Sequence, residues 1–395
     1  MQSLMKFFKT DTFDQKIFLV LALSILLPFF IGGPILLIGA CLLMYRHRST
    51  LREEILSKGW LMIFILFTFL VALAFRNYIG AAVAVALFFM AMVFGYYYQQ
   101  ITAQLLLNQI KIFVWGSIPL ALESCLAYAY YVFTNGYDLL YIFKYPNPQI
   151  RAEATFFNPN YYGLFIAMVV VMAFYLLIKS QDKLHRTLAA LALFVNFIAL
   201  ILTASRWSIP TVLLGIVVMA FFWKPVLSWL LAFATGGVIL ALLVRPDLLP
   251  RFTSLAHAFD DRFTIWQAGW QMFETSPLLG RGPMAYLNAY YLFVDEGKMH
   301  AHQLFIDSLA NYGLVGIMLL IMAFSNYFRR LAVTILNKKI RLELGLVIAI
   351  LLTVLFHGAM DVGVFWLQTG YLFLSVLVVP EAILLDLSEL SSESV

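Results

Sequence analysis

Two histidines separated by one residue stand at the end of a long polar segment in an otherwise apolar chain. His300 and His302 close a hydrophilic stretch over residues 245–302, and most of the remaining sequence consists of apolar runs. The ordinary pKa of histidine lies near neutral pH, so its side chain can take a proton from a hydroxyl group under physiological conditions. The position of these residues indicates chemistry at a membrane surface.

Arginine is the second residue type that indicates a site. Arg206 lies in a very short turn between two apolar runs, and Arg262 lies within the polar stretch. A guanidinium group binds two phosphate oxygens in one plane, so arginines on this side of the membrane fit an anionic phosphate ligand. An arginine at the interface can instead extend toward lipid headgroups, and the sequence leaves both interpretations of Arg206 open.

A polar segment before the sixth apolar run offers further candidates. Asn158-Pro159-Asn160 is typical of a turn that begins a helix, with Asn160 as the capping residue, and it equally fits ligand contact. Arg151 and Glu153 either contact the ligand or pair with each other. If the segment around His302 is helical, His300 points away from it, so His302 is the preferred catalytic residue. The other accessory candidates are Ser205, Arg281, His300 and Gln303.

Membrane helices must position these residues. The 395-residue chain is 63% hydrophobic and 12% charged, whereas about 25% charged residues are usual in soluble domains. Apolar runs long enough to cross a bilayer recur from end to end, which predicts an all-α polytopic membrane protein with one integral membrane domain, residues 1–395. We expect about twelve spans, near residues 16–31, 33–45, 59–75, 79–97, 111–134, 160–178, 187–203, 207–223, 225–244, 304–328, 342–359 and 365–384.

The basic residues predict the orientation of the chain. With a cytoplasmic N-terminus, about two thirds of the 26 lysines and arginines fall in inner segments. Because cytoplasmic loops carry an excess of basic residues, we expect both termini in the cytoplasm and one large extracytoplasmic loop over residues 245–302. Within this loop, aromatic residues at helical spacing predict an amphipathic helix near residues 261–274 that begins at Asp260-Asp261 and lies on the outer leaflet.

Other ionisable residues allow different interpretations. Asp295, Glu296, His300 and His302 together suggest a metal site, but their spacing matches no standard zinc or two-metal pattern, so we expect none. Glu123, near the middle of the fifth run, is either a functional carboxylate or a packing group, and its depth argues against phosphate contact. His357 and Asp361, near the outer end of the eleventh run, are placed to border the same cavity.

Five short motifs follow one another along residues 158–316 of the polar and apolar pattern. They are Asn158-Pro159-Asn160, Ser205-Arg206, Asp261-Arg262-Phe-Thr-Ile-Trp266, Pro277-Leu-Leu-Gly280-Arg-Gly282, and the run from His300-Ala-His302-Gln303 to Gly313-Leu-Val-Gly316. In these motifs and their order, the chain resembles the O-antigen ligase and polymerase superfamily over about residues 150–320. The family commonly has asparagine where this chain has Gln303, which can also form hydrogen bonds.

The resemblance implies a GT-C-like fold in the bacterial cytoplasmic (inner) membrane. It implies transfer of a glycan from undecaprenyl pyrophosphate to an acceptor hydroxyl on the extracytoplasmic side, without a metal or nucleotide cofactor and without nucleic acid. The acceptor is a glycolipid for ligases and another lipid-linked glycan for polymerases, and the motifs do not separate the two. By motif position, Arg206 and Arg262 bind the pyrophosphate and His302 is the catalytic residue. Direct displacement of the leaving group would invert the anomeric centre.

A flippase for lipid-linked glycan is the alternative from another class. It would share the dozen spans, an arginine-rich cavity and a buried carboxylate. The single large outer loop, the His-x-His sequence and the absence of a visible internal repeat favour an enzyme. A purely structural membrane protein would leave the arginine bias unexplained.

Overall fold

The helices of the structure follow the apolar runs of the sequence. The computed structural model describes residues 12–145, 147–245, 255–294, 298–335 and 338–390, and within these ranges all regular structure is helical. The α-helices are α1 (Phe13–Ser24), α2 (Phe29–Arg46), α3 (Leu51–Ser57), α4 (Gly59–Ala74), α5 (Tyr78–Gln100), α6 (Ala103–Thr134), α7 (Tyr141–Lys144), α8 (Pro159–Lys179), α9 (Lys183–Leu202), α10 (Ser208–Trp223), α11 (Pro225–Val244), α12 (Leu255–Thr275), α13 (Ala285–Ala289), α14 (Leu304–Thr334), α15 (Arg341–Gly358), α16 (Leu367–Leu377) and α17 (Glu381–Glu389).

The chain is a multi-pass membrane protein, although fewer helices than expected have the length of a span. In the part of the chain that the structure describes, seven helices are long and apolar enough to cross a bilayer, namely α2, α5, α6, α8, α9, α14 and α15. The pairs α3–α4 and α16–α17 bend by 87° and 78° at short breaks, and counting each pair as one span gives nine. The first of the predicted twelve runs forms a helix of only 12 residues. The count of twelve therefore stays a prediction.

Helix α8 lies at the centre of the bundle and connects its two ends. It packs against α6, α9, α10 and α15, and most of its side chains are buried. At its C-terminal end, the Lys179 amine donates hydrogen bonds to Glu343 (2.9 Å), at the start of α15, and to the backbone oxygen of Ser388 (3.2 Å) on α17. The opposite end of α8 therefore lies beside the C-terminal end of α15, where the candidate residues meet.

The first turn of α8 differs from the expected cap. The side chain of Asn158, not Asn160, accepts hydrogen bonds from the backbone N–H groups of Asn160 (2.8 Å) and Tyr161 (3.3 Å). Pro159 then occupies the first helical position, where its missing N–H and constrained backbone are compatible with the helix. The side chain of Asn160 therefore does not form the cap of α8.

Helix α14 is broken near its start, and a loop supports the break. Gly313 has non-helical angles (φ 59°, ψ −174°), which separate residues 304–312 from the rest of α14. The loop at residues 277–282 replaces the helical hydrogen bonds that the break removes. The backbone N–H groups of Arg281 and Gly282 donate to the backbone oxygens of Ala310 and Asn311. Those of Leu314 and Val315 donate to the backbone oxygens of Pro277 and Leu278. These bonds satisfy backbone groups that the break leaves unpaired.

Glycine is required at two positions, Gly280 in this supporting loop and Gly313 at the break. Both have a positive φ, 67° at Gly280 and 59° at Gly313, which glycine adopts at no steric cost. A Cβ atom at Gly280 would lie 2.4 Å from the backbone oxygen of Asn311, and one at Gly313 would lie 2.4 Å from the backbone nitrogen of Gly280. The Pro277–Gly282 motif therefore acts as a backbone support for the short helix that follows His302.

The amphipathic helix is longer than predicted. Asp260 and Asp261 are exposed residues inside α12, since helical structure is already present at Leu255, so they are not its cap. The buried face of α12 carries Ile265, Ala268 and Met272, which pack against α13 and the residues around Ala301. Among the aromatic residues at helical spacing in this helix, Trp270 is 46% exposed. Residues 246–254 and 295–297 of the polar stretch, including Asp295 and Glu296, lie outside the described residues.

Candidate active site

Five segments that are far apart in sequence meet beside the C-terminal end of α15. They are the extended segment before α8 with its first turn, the turn between α9 and α10, one face of α12, the non-helical residues 298–303, and the residues that follow α15. The contacts among these segments are made by polar side chains. This is where most of the residues singled out from the sequence are brought together.

The side chain of His302 faces a buried carboxylate. Its Nδ1 lies 3.3 Å from Oδ1 of Asp361, whose side chain is 3% exposed, whereas that of His302 is 23% exposed. Burial by itself raises the pKa of Asp361, but the hydrogen bond and charge of His302 outweigh it, and the pKa lies well below its usual value. Asp361 is therefore a carboxylate at neutral pH.

The arrangement determines which nitrogen of His302 is available for chemistry. An ionised carboxylate accepts hydrogen bonds only, so the proton of neutral His302 resides on Nδ1, toward Asp361. The lone pair then lies on Nε2. A histidine held this way by a carboxylate has the geometry for general-base catalysis, since the same carboxylate would stabilise its protonated form.

His300 belongs to the same cluster, contrary to the expectation that it points away. Residues 298–303 are not helical, and the two imidazole rings lie 4.2 Å apart in an edge-on arrangement. His300 Nε2 is 2.6 Å from the hydroxyl of Tyr161, and His300 Nδ1 accepts a hydrogen bond from the backbone N–H of His302 (3.3 Å). Burial lowers the pKa of His300 to about 4, so it is neutral and carries its proton on Nε2, toward Tyr161.

The backbone around His302 is held in an unusual conformation. His302 has a φ of 50°, in the left-handed region that most residues avoid. Two contacts secure this turn: the carboxylate of Asp307 accepts a hydrogen bond from the amide of Ala301 (2.9 Å), and Gln303 caps the following helix by accepting from the amide of Ile306 (2.6 Å). Gln303 is thus the side-chain cap of α14.

Arg262 also lies beside Asp361. Its guanidinium donates a hydrogen bond to the backbone oxygen of Met360, and burial lowers its pKa while the Asp361 carboxylate raises it. The guanidinium remains charged, because the ordinary pKa of arginine is far above neutral. On the same helix, the indole of Trp266 donates to the backbone oxygen of His302 (3.3 Å), so α12 contacts His302 and the residue that precedes Asp361.

The turn that carries Arg206 packs against the same end of α15. The indole of Trp207 donates to the backbone oxygen of Phe356 (2.7 Å), and the hydroxyl of Ser208 lies 3.4 Å from His357 Nε2. Ser205 shares a hydrogen bond with Ser208 (2.7 Å) and is buried, so its side chain supports the turn. These contacts place the backbone of Arg206 at the α15 end that also receives Arg262.

Of the remaining accessory candidates, two are connected to the cluster and one is not. Arg151 donates to the backbone oxygen of Thr203 (2.7 Å) and to Asn160 (3.3 Å). Glu153 lies near enough to Arg151 and Glu123 for their charges to act on it, and burial raises its pKa. Arg281 instead donates to the hydroxyl of Thr275 and lies over the ring of Phe75, so it supports the loop.

Two members of the cluster are indicated weakly or not at all by the sequence alone. The sequence places Asp361 only at the border of the cavity, and no motif in it indicates Tyr161. A buried acid directly after an apolar run was the available signal for Asp361, because an ionised group there needs a partner. Glu123, in contrast, is exposed on the outer face of α6, where it lines an open groove of about 570 Å³ with Pro119, Leu122, Leu126, Ala127 and Tyr130.

Three residues of the site have the donor atoms for a metal ion. Single ligand atoms of His300, His302 and Asp361 lie within 4.8 Å of one another, a set different from the one considered from the sequence. Two imidazoles and a carboxylate suit zinc or iron. Both nitrogens of His300 already have hydrogen-bonding partners, Tyr161 and the amide of His302, so binding a metal there would break one of these bonds.

The fold and the site define a multi-pass helical membrane protein with a histidine–carboxylate centre flanked by arginine. The sequence profile of the O-antigen ligase family matches residues 191–321, which include Arg206, Arg262, His300 and His302. This match confirms the similarity to the O-antigen ligase family over these residues. No curated protein matches the chain.

Proposed function

We propose that the protein is an extracytoplasmic glycosyltransferase of the bacterial cytoplasmic membrane. It transfers a glycan from undecaprenyl pyrophosphate to a hydroxyl group of a glycan or glycolipid acceptor, with inversion at the anomeric carbon and with His302 as the general base. The observation that supports this most directly is the contact of His302 Nδ1 with the buried Asp361 carboxylate, which leaves Nε2 as a proton acceptor.

The reaction proceeds by a single displacement. His302 Nε2 takes the proton of the acceptor hydroxyl as its oxygen forms a bond to the anomeric carbon on the face opposite the pyrophosphate. The bond between the anomeric carbon and the pyrophosphate oxygen breaks, and the electron pair leaves with that oxygen. The imidazolium that forms is stabilised by Asp361, and the negative charge on the leaving group is stabilised by Arg206 and Arg262.

The direct test is a reaction of the purified protein in detergent with a lipid-linked glycan and a candidate acceptor. We expect a glycosidic bond of inverted configuration and release of undecaprenyl pyrophosphate. If the protein instead moves the lipid-linked glycan across a vesicle membrane and forms no glycosidic bond, it is a flippase and the proposal is wrong.

The two arginines give a test of charge recognition. We expect Arg206→Lys and Arg262→Lys each to reduce use of the donor by roughly 10- to 100-fold, because an ammonium group keeps the charge but cannot form paired hydrogen bonds to pyrophosphate. The measurement is the kcat/KM for the donor. Arg281→Lys is the matched control, since its guanidinium contacts Thr275 and Phe75, and it should retain nearly full activity. Equal activity in all four proteins would remove both arginines from donor binding.

The predicted orientation can be tested with single cysteines. Gln267, on α12, and Gln181, between α8 and α9, are both exposed. In a background where Cys41 and Cys125 are replaced by alanine, Gln267→Cys should react with a membrane-impermeant thiol reagent added from outside, and Gln181→Cys only after the inner membrane is opened. The opposite labelling pattern would place the site on the cytoplasmic side and contradict the proposed extracytoplasmic reaction.

A further inference from the structure

Asn160 is bonded at both ends of its side chain, although it does not cap its helix. Its Nδ2 lies 2.7 Å from Oδ2 of Asp361, and its Oδ1 accepts a hydrogen bond from Arg151 (3.3 Å). Arg151 is itself held by the backbone oxygen of Thr203. We propose that Asn160 is a positioning residue that holds the Asp361 carboxylate in the orientation required by His302. The inference rests on the proposed transferase function.

The two neighbours of Asn160 determine the orientation of its amide. A guanidinium only donates hydrogen bonds and a carboxylate only accepts them, so the amide oxygen must face Arg151 and the amide nitrogen must face Asp361. Rotating the amide by 180° would break both bonds. The charge of Arg151 also polarises the amide and strengthens the bond that its nitrogen donates to Asp361.

The carboxylate of Asp361 is thereby held by different donors on its two oxygens. Oδ2 accepts from Asn160, while Oδ1 accepts from the backbone amide of Val362 (2.8 Å) and faces His302 Nδ1. Asp361 is 2% exposed, so bulk water has little access to replace a missing donor. Loss of the Asn160 bond would leave Oδ2 without this donor and allow the carboxylate to turn away from His302.

A role in capping the helix does not account for these contacts. Asn158 and Pro159 already begin α8, and asparagine is a poor helix former, so Asn160 adds nothing to the helix itself. Its partner lies 201 residues away, on the segment that follows α15. The bond thus joins the first turn of α8 to the residue that orients the general base.

The test is a double-mutant cycle between Asn160 and Asp361 in the full-length protein. We expect Asn160→Leu, which keeps the side-chain size, to lower kcat by about 10- to 100-fold with an almost unchanged KM for the donor. In an Asp361→Asn background, the same substitution should cause little further loss, because its effect is transmitted through the carboxylate. Losses that multiply would overturn the proposal, as would an unchanged kcat in Asn160→Leu.

Two asparagines in the same turn provide a matched pair of variants. Asn158→Asp keeps an acceptor for the amides of Asn160 and Tyr161, and a negative charge is favourable at a helix N-terminus, so activity should be nearly unchanged. Asn160→Asp replaces the donor with a carboxylate 2.7 Å from Asp361 and should reduce kcat more than Asn160→Leu does. Equal activities of the two aspartate variants would overturn the inference.

The outcomes separate this inference from the proposed function. Donor binding and thermal unfolding, measured on the same preparations, identify any variant that has lost its fold. Wild-type protein that transfers glycan while the cycle shows independent effects would exclude Asn160 as a positioning residue and leave the transferase intact. Wild-type protein without transfer would refute the function itself before any variant is compared.

Discussion

His302→Ala is expected to lose glycan transfer by about 100- to 10,000-fold while it still binds the lipid-linked donor. The loss follows because the neighbouring His300 cannot replace the base: it is neutral, with its Nε2 proton directed to Tyr161. Donor affinity should persist, since the arginines bind the pyrophosphate. Initial rates and donor binding, measured on the same detergent-purified protein, check both parts.

His300→Ala and a chelator distinguish the base from a metal centre. His300 secures the backbone of His302 through one hydrogen bond, so its removal should lower kcat less than removal of His302 does. EDTA should leave wild-type activity unchanged, because no step of the displacement uses a metal. Activity that disappears with EDTA and returns with zinc would instead assign His300, His302 and Asp361 to a metal site. A fully active His302→Ala protein would remove the base from the mechanism.

Asp361→Asn is expected to have the second large effect, also about 100- to 10,000-fold in kcat. An amide in place of the carboxylate can donate to His302 Nδ1, which moves the imidazole proton to Nε2 and removes the lone pair that the reaction needs. The amide also cannot stabilise the imidazolium that forms during proton transfer. The measurement is kcat at saturating donor and acceptor, together with the KM for the donor, which should change little.

Asp361→Glu and a combined variant complete this experiment. The longer side chain of glutamate keeps the charge but displaces the oxygens within a buried site, so partial activity is expected. The His302→Ala/Asp361→Asn protein should be no less active than His302→Ala alone, because Asp361 acts through the histidine. Near wild-type turnover in Asp361→Asn would show that the contact seen between these residues is only structural.

The amino-acid sequence determined the class of protein and the helices. Apolar runs are local features, and each predicted run contains a helix because a backbone in a bilayer must satisfy its own hydrogen bonds. Short motifs also predicted a similarity to the O-antigen ligase family, and the model of that family matches residues 191–321. His302 as base and Arg206 and Arg262 as donor ligands remain predictions, although the structure places His302 and Arg262 beside one carboxylate.

Only the tertiary structure decided which residues act together. Asn160 and Asp361 are 201 residues apart, and no local pattern reports that their side chains meet. The expected separation of His300 from His302 was wrong because it assumed a helix, whereas Asp307 and Gln303 hold this segment as a turn with a left-handed residue. The sequence gives no reason to separate Arg281 from the other arginines as a candidate site residue. Its guanidinium nevertheless lies over the ring of Phe75, because the loop that carries it supports the break at Gly313. Hydropathy and residue type indicate which secondary structure a segment forms and whether it is buried. The partner of a buried charge depends instead on which helix ends, far apart in sequence, pack together.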